Sequence, residues 1–199
     1  LDHAKEQGKS PPDRPLLFAK FPTSVIGPDD PIKIPPISEQ VDPEAELCIV
    51  MLESGVRFTR DSAREAAGFM VGNDISARDL QYSDKQWVRG KSCDTFAPLG
   101  PWLVSRDEIG DPQNLEMWLQ VDGVRYQYGS SQTMIFGVAE LVSYISRFMS
   151  LQPGDIISTG TPPGVGLGQQ PPIYLEEGQI MELAISGLGR QRQRVVSCA

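Results

Sequence analysis

Two glutamates, Glu44 and Glu46, flank a single alanine at the start of the apolar run Leu47-Cys48-Ile49-Val50-Met51-Leu52. The run reads as a buried strand, and side chains two apart on a strand leave the same face. Two carboxylates side by side at the mouth of such a strand repel each other and lose hydration, at a cost of several kcal/mol per ion unless positive charge sits between them. A divalent cation meets that need, and oxygen-only ligation points to a hard ion such as Mg²⁺, Mn²⁺ or Ca²⁺ rather than structural zinc. An E-x-E pair also occurs as a plain solvated strand end, so a third acid has to decide. Asp74 supplies one, at the end of the apolar stretch 68–73 and the start of a loop, where sites are commonly built. Glu44, Glu46 and Asp74 would form a three-carboxylate face with open positions for water or substrate.

Other residue types could act around such a face. His3 and Glu6 lie three apart among good helix formers, so they share a helical face. A carboxylate that orients an imidazole makes a general base for water; the alternative is a solvated first turn of helix. Arg78 offers a planar, permanently charged fork for a substrate carboxylate, or for pairing with Asp79 or another acid. Lys91 follows Gly90, where the backbone can approach closely, and an ammonium aimed at three acids would stabilise an oxyanion or enolate. Lys20 either faces the site or snorkels at the surface. The glycine-rich stretch from Gly160 to Gly166 lacks a G-K-[ST] ending, so it is not a phosphate loop. Its backbone N–H groups and the Thr161 hydroxyl make a cradle suited to a carboxylate.

The elements that must position these groups are short. Ser10-Pro11-Pro12-Asp13-Arg14-Pro15 is a stiff linker, Leu16 to Phe21 a short strand, and prolines at 22, 28, 31, 35 and 36 divide the next stretch of chain into short extended pieces. Residues 61–67 read as a short helix capped by Thr59 or Asp61, and Ser76 as the cap of a turn or short helix. Tyr82 to Gln86 read as a polar loop. Segments 115–121 and 124–128 alternate across Asp122-Gly123 as a hairpin. Val138, Leu141, Val142, Ile145, Phe148 and Met149 recur at helical spacing, predicting one long amphipathic helix of core positions stopped by Pro153-Gly154. Residues 155–159, 180–185 and 191–196 complete the strands. The architecture expected is β-rich α+β, not a doubly wound sheet.

Composition bounds the partners. The chain has 199 residues, 40% of them hydrophobic and 22% charged, which suits one domain with a substantial core. A net charge of −8 argues against nucleic acid, and no apolar run reaches membrane-spanning length. Cys48, Cys93 and Cys198 are an odd number without motif spacing. Cys48 reads as a buried hydrophobe, and a reducing compartment is expected, cytoplasmic or, in a eukaryote, mitochondrial.

Five segments resemble the fumarylacetoacetate hydrolase family in order and spacing: D-H-A-K-E at 2–6, E-A-E at 44–46, N-D-I-S-A-R-D-L-Q at 73–81, R-G-K-S at 89–92 and T-G-T-P-P-G-V-G at 159–166. The likeness covers nearly the whole chain. The runs D-H-A-K-E-Q, K-Q-W, D-T-F and P-L-G-P are most similar to the branch of domain-containing protein 2. The resemblance implies a mixed β-sandwich or roll with a few short helices and one longer amphipathic helix. It also implies a preceding strand outside these residues, with 1–15 as a lid and linker. It makes Glu44, Glu46 and Asp74 metal ligands, usually for Mg²⁺, and makes His3, Glu6 and Lys91 catalytic. Arg78, Gln81 and Thr161 become substrate contacts, and a homodimer is implied. Cys93 and Pro43 depart from aromatic residues common in the family and would alter pocket shape. The reaction implied is hydrolysis of a C–C bond in a β-diketo or 2-oxo acid of acylpyruvate or fumarylpyruvate type. The alternative is decarboxylation or keto–enol tautomerisation of an acid such as oxaloacetate with the same ion; a metal-stabilised binding protein without turnover is a third class.

Overall fold

The computed structural model describes residues 2, 6, 8 and 10–198. After the proline-rich stretch come short strands β1 (Val25–Ile26), β2 (Ile32–Ile34) and β3 (Val41–Asp42), then β4 (Ala45–Met51), buried along its whole length. Helix α1 (Arg60–Glu65) starts where the Thr59 hydroxyl accepts from the Ser62 N–H, and it delivers the chain into β5 (Ala67–Asn73). Next are β6 (Ser76–Ala77), α2 (Arg78–Ser83), α3 (Val88–Lys91), β7 (Ala97–Pro98) and α4 (Arg106–Ile109). The hairpin β8 (Glu116–Val121) and β9 (Val124–Ser130), helix α5 (Val138–Ile145), β10 (Ile156–Ser158), β11 (Ile180–Ile185) and β12 (Gly189–Ser197) finish the chain.

The fold is β-rich α+β, as composition and turn density require. Five strands form one sheet in the order β2-β12-β11-β8-β9, three form another in the order β10-β4-β5, and two-stranded pairs β1-β7 and β3-β6 flank them. On β8 and β11, Met117, Leu119 and Val121 pair with Ile185, Leu183 and Met181, and all six are buried. This alternation gives the larger sheet one apolar face. β4 packs against β8 and β11, so the small sheet covers that face, and the continuous apolar run 47–51 reflects burial on both sides. The hairpin turns at Asp122-Gly123, both at positive φ, as a two-residue turn with right-handed twist requires. Among the described residues, no helix is long and apolar enough to cross a membrane.

Several sequence expectations change. Leu16 to Phe21 forms no strand, because no neighbouring strand offers it a ladder; it runs as extended coil tied down by side chains. The long helix stops at Ile145, well short of Pro153. Phe148 and Met149, expected in the core, are 64% and 51% exposed, since helical spacing specifies a face only while the helix continues. Ser76 pairs with Asp42 in a short bridge rather than capping a helix, and α2 begins two residues later without a side-chain cap. Tyr82 and Ser83 belong to the last turn of that helix rather than to a loop.

Because Leu183 is fully buried between the two sheets, Leu183→Ala is expected to lose about 2–5 kcal/mol of stability. A denaturant midpoint shift at unchanged slope is the check.

Candidate active site

The antiparallel pairing of β4 with β5 brings Ala45 opposite Asn73 and Glu46 opposite Gly72. One step beyond the ladder, the Asp74 N–H donates to the Glu44 carbonyl at 2.9 Å. Glu44 and Glu46 share a face and Asp74 joins them from the neighbouring chain segment, with one oxygen from each carboxylate lying within 4.8 Å of the others. All three are buried. The side chains of Asn73 and Gln127 hold this stretch in place: they accept from the Glu44 and Ala45 N–H groups at 3.0 and 2.9 Å.

Three cations enter the same volume. The Lys91 ammonium lies between two of the acids, 2.7 Å from Glu44 Oε2 and 2.6 Å from Asp74 Oδ2. Lys20 reaches Asp74 Oδ1 at 2.6 Å and the Ile75 carbonyl at 3.1 Å, so it faces the site rather than the surface. The Arg78 guanidinium is divided three ways: Nε to Asp42 at 2.9 Å, NH2 to Glu44 at 2.6 Å and NH1 to Gln81 Oε1 at 3.0 Å. Its expected alternative partner, Asp79, instead accepts from the Ser38 hydroxyl and the Glu39 N–H.

The balance of charge shows what the cluster still lacks. Burial alone would raise the Glu44 carboxyl, but Lys91 and Arg78 overcome it and hold the group well below the ordinary carboxylate range. Burial would strip Lys91 of its proton, and Glu44 and Asp74 more than reverse that. Glu46 differs: burial first, then repulsion from Asp74 and Glu44, push its carboxyl up to about 8. Its hydrogen bond comes from the Gly160 N–H at 2.9 Å, and among the described residues no lysine or arginine pairs with it. Four buried acids, with Asp42, face three bases. Converging hard oxygen donors with uncompensated negative charge fit a divalent cation held by Glu44, Glu46 and Asp74.

The loop after β10 behaves as an anion cradle, but its anions are the chain's own. Gly160 donates to Glu46, Gly164 to Glu6 at 2.8 Å, and Gly166 and Leu167 to the two oxygens of Asp42 at 2.7 and 3.0 Å. The Thr161 hydroxyl donates to the Ala45 carbonyl at 2.9 Å and accepts from Gln127 Nε2 at 2.8 Å, so both its roles are engaged in seating the E-A-E strand. Asp42 and Gln127 escaped sequence reasoning; a buried aspartate before Pro43 in V-D-P-E-A-E was the available clue to the first. Cys48 is buried, as expected, and burial pushes its thiol up to about 12.

Glu44, Glu46, Asp74, Arg78, Gln81, Lys91 and Thr161 all line one cleft of about 400 Å³. Phe18 stands at its wall, its ring 5.0 Å from the Lys91 ammonium and 5.5 Å from the Trp87 ring. Glu6 is docked on the Gly164 loop, and Asp2 lines the cleft. His3 lies outside the described residues.

Comparison with known proteins decides the family to which this geometry belongs. Residues 1–196 match the model of the fumarylacetoacetate (FAA) hydrolase C-terminal domain. The chain belongs to the fumarylacetoacetate hydrolase family. A curated Burkholderia cenocepacia (strain HI2424) protein is 50% identical over 97% of this chain and 70% of its own. Among solved structures of this family, a fumarylacetoacetate hydrolase from psychrophilic Exiguobacterium antarcticum is 38% identical, with a TM-score of 0.92 over 100% of this chain and 71% of that one. A 5-carboxymethyl-2-hydroxymuconate delta-isomerase from Mycobacterium smegmatis is 37% identical, with a TM-score of 0.88 over 100% of this chain and 76% of that one. The fold therefore carries both hydrolases and isomerases, and this chain is an enzyme of that kind.

Close approach at Gly90 sets the position of Lys91. A Cβ there would stand 2.6 Å from the Ala77 carbonyl and 2.7 Å from the Gln81 N–H. Gly90→Ala is therefore expected to destabilise by about 1–3 kcal/mol and to draw Lys91 off Glu44 and Asp74. Thermal melts and a crystal structure of the variant would check both.

Proposed function

We propose that the enzyme hydrolyses a C–C bond in a β-diketo acid of acylpyruvate type. The observation that carries this reading is the Lys91 ammonium suspended between Glu44 and Asp74 at the inner end of an apolar-walled cleft. A divalent ion held by Glu44, Glu46 and Asp74 would supply Lewis acidity toward the carboxylate and 2-oxo oxygens of the substrate. The hard oxygen donors suit Mg²⁺, Mn²⁺ or Ca²⁺.

The chain's own groups do the rest. Glu6, anchored on Gly164, orients His3; His3 takes a proton from water, and the water oxygen bonds to the distal carbonyl carbon. When the adjacent C–C bond breaks, its electrons pass to the departing 2-oxo acid as an enolate, and the developing charge faces Lys91, whose proton is held firmly. Arg78, itself held by the Gln81 side-chain carbonyl, donates to the Glu44 oxygen that Lys91 leaves open and keeps that acid ionised and oriented.

A second reading keeps the same electron sink and omits the attacking water: decarboxylation or tautomerisation of a small acid such as oxaloacetate. What favours it is that an isomerase stands among the similar structures.

His3→Ala separates the two. Under the hydrolytic reading it should lower acylpyruvate cleavage by about 10²- to 10⁴-fold, measured by loss of enol absorbance. Undiminished cleavage would remove His3 from the mechanism, and retained oxaloacetate turnover alone would favour the second reading.

Glu46→Gln should remove the stabilisation that Mg²⁺ or Mn²⁺ confers on the protein, which for the parent reaches about 2.7 kcal/mol at a hundred times the dissociation constant. Thermal shift against metal concentration reads this without any substrate. An unchanged metal response would exclude Glu46 from the ligand set.

A further inference from the structure

A second cavity, of about 440 Å³, shares no lining residue with the active cleft. Its polar lining comes from Arg60 and Arg64 on α1, Arg106 on α4, Asp111 and Gln113 in the loop that follows, and Glu140 on α5. Three arginines against two acids make a local excess of positive charge in a chain whose net charge is −8. Arg60 and Arg64 stand one turn apart on the same face of α1, where like charges repel. Their carboxylate partners engage them in part: Arg60 gives one nitrogen to Glu140 at 3.1 Å, Arg64 one to Asp61 at 3.8 Å and Arg106 one to Glu65. Arg60 and Arg64 are exposed and Arg106 is half-buried, and ion pairs that reach solvent exchange partners at little cost. Each guanidinium keeps further N–H donors in a fixed fork, so all three can turn to an oxyanion. Asp111 already accepts from the Gln113 N–H at 3.0 Å.

The Gln113 side chain joins this cavity to the active cleft. Its Oε1 accepts from the Val138 N–H at 2.6 Å, and its Nε2 donates to the Ser131 carbonyl at 3.1 Å and the Met134 sulfur at 3.5 Å. Ser131, Met134, Leu141 and Ile145 line the active cleft, while Gly137 to Glu140 line the arginine cavity. One stretch of chain therefore walls both. We propose that the second cavity binds a phosphorylated small molecule, held by Arg60, Arg64 and Arg106, and that its occupancy is felt in the active cleft through Gln113 and the start of α5. Planar donor forks from two elements suit a tetrahedral dianion, whereas a carboxylate offers too few oxygens for all three. The volume lies in the range of about 300–1,000 Å³ that holds a whole small molecule rather than a single ion. The site stands apart from the proposed reaction, in which none of its residues takes part.

The test is calorimetric titration of the Mg²⁺-loaded protein, at about 0.15 M salt, with glycerol 3-phosphate, inorganic phosphate and glycerol. The ester should bind with a dissociation constant below about 1 mM and more tightly than inorganic phosphate, and glycerol should not bind. Arg64→Met, and Arg106→Met as a second variant on another element, should each weaken the ester about tenfold or more. Arg64→Lys keeps the charge and loses the fork, so it should also bind the ester more weakly than the parent. Hydrogen exchange locates the site: the ester should slow exchange at the amides of 131–134 and 138–141, and Arg64→Met should remove that protection. Equal binding to the parent and the arginine variants, or protection confined to residues 44–46 and 160–166, would place the phosphate at the acidic cluster and overturn the proposal. Absence of binding by either anion would overturn it as well. Inorganic phosphate binding as tightly as the ester would overturn the ester assignment, and protection that stays on α1 and α4 would overturn the link to the cleft.

Discussion

The structure turns on the lysine that stands between two buried carboxylates. Lys91, Glu44 and Asp74 are each buried, and any of them ionised alone at that depth would carry a desolvation penalty of several kcal/mol. Together they stabilise one another's charged forms, and Arg78 and Lys20 extend the network to Asp42 and the second oxygen of Asp74. The network is nearly balanced but not fully so. Glu46 is left with amide contacts and like-charged neighbours, and its carboxyl rises accordingly. Beside that unbalanced acid, the converging oxygens of Glu44, Glu46 and Asp74 could hold a divalent cation.

Holding that arrangement demands rigidity from elements that are individually slight. The acids come from the start of β4 and the end of β5, whose antiparallel register fixes their spacing. Side chains rather than extra strands lock the register: Asn73 and Gln127 cap the N–H groups of the E-A-E stretch, and Thr161 seats its carbonyl. The glycine loop after β10 then commits its N–H groups to Glu46, Glu6 and Asp42. It ties the N-terminal segment, the E-A-E strand and, through Asp42, the buried arginine to one backbone. This explains why the loop is rich in glycine: three separate carboxylates must reach its backbone closely.

Around this polar centre the cleft is apolar, and the two characters divide the work. The charged end gathers the acids and their lysine and arginine partners, and the similar structures show that this fold supports both hydrolases and isomerases. The apolar wall begins immediately beside Lys91 with Phe18 and Trp87. Low polarity there strengthens the interaction between the ammonium and its carboxylate partners. The extended 11–21 segment contributes Phe18 to that wall and Lys20 to Asp74, so a stretch without regular structure is part of the site.

The amino-acid sequence by itself determined the strand that carries the acids, the hairpin, the closing strands and the β-rich α+β class, because alternation and turn residues act over a few neighbours. It also marked Glu44, Glu46 and Asp74 as candidates, because acids at the mouths of apolar strands have few stable surroundings. What it could not decide were relations between distant segments. Whether Leu16 to Phe21 became a strand depended on finding a partner edge, and none was available. Whether Phe148 and Met149 were core depended on where α5 ended, which periodicity does not reveal. The pairing of Arg78 with Asp42, the turn of Lys20 toward Asp74, and the occupation of the glycine loop by the chain's own acids required the tertiary structure. Charge pairing acts through space, and residues 36 or 54 positions apart leave no trace of it in their spacing.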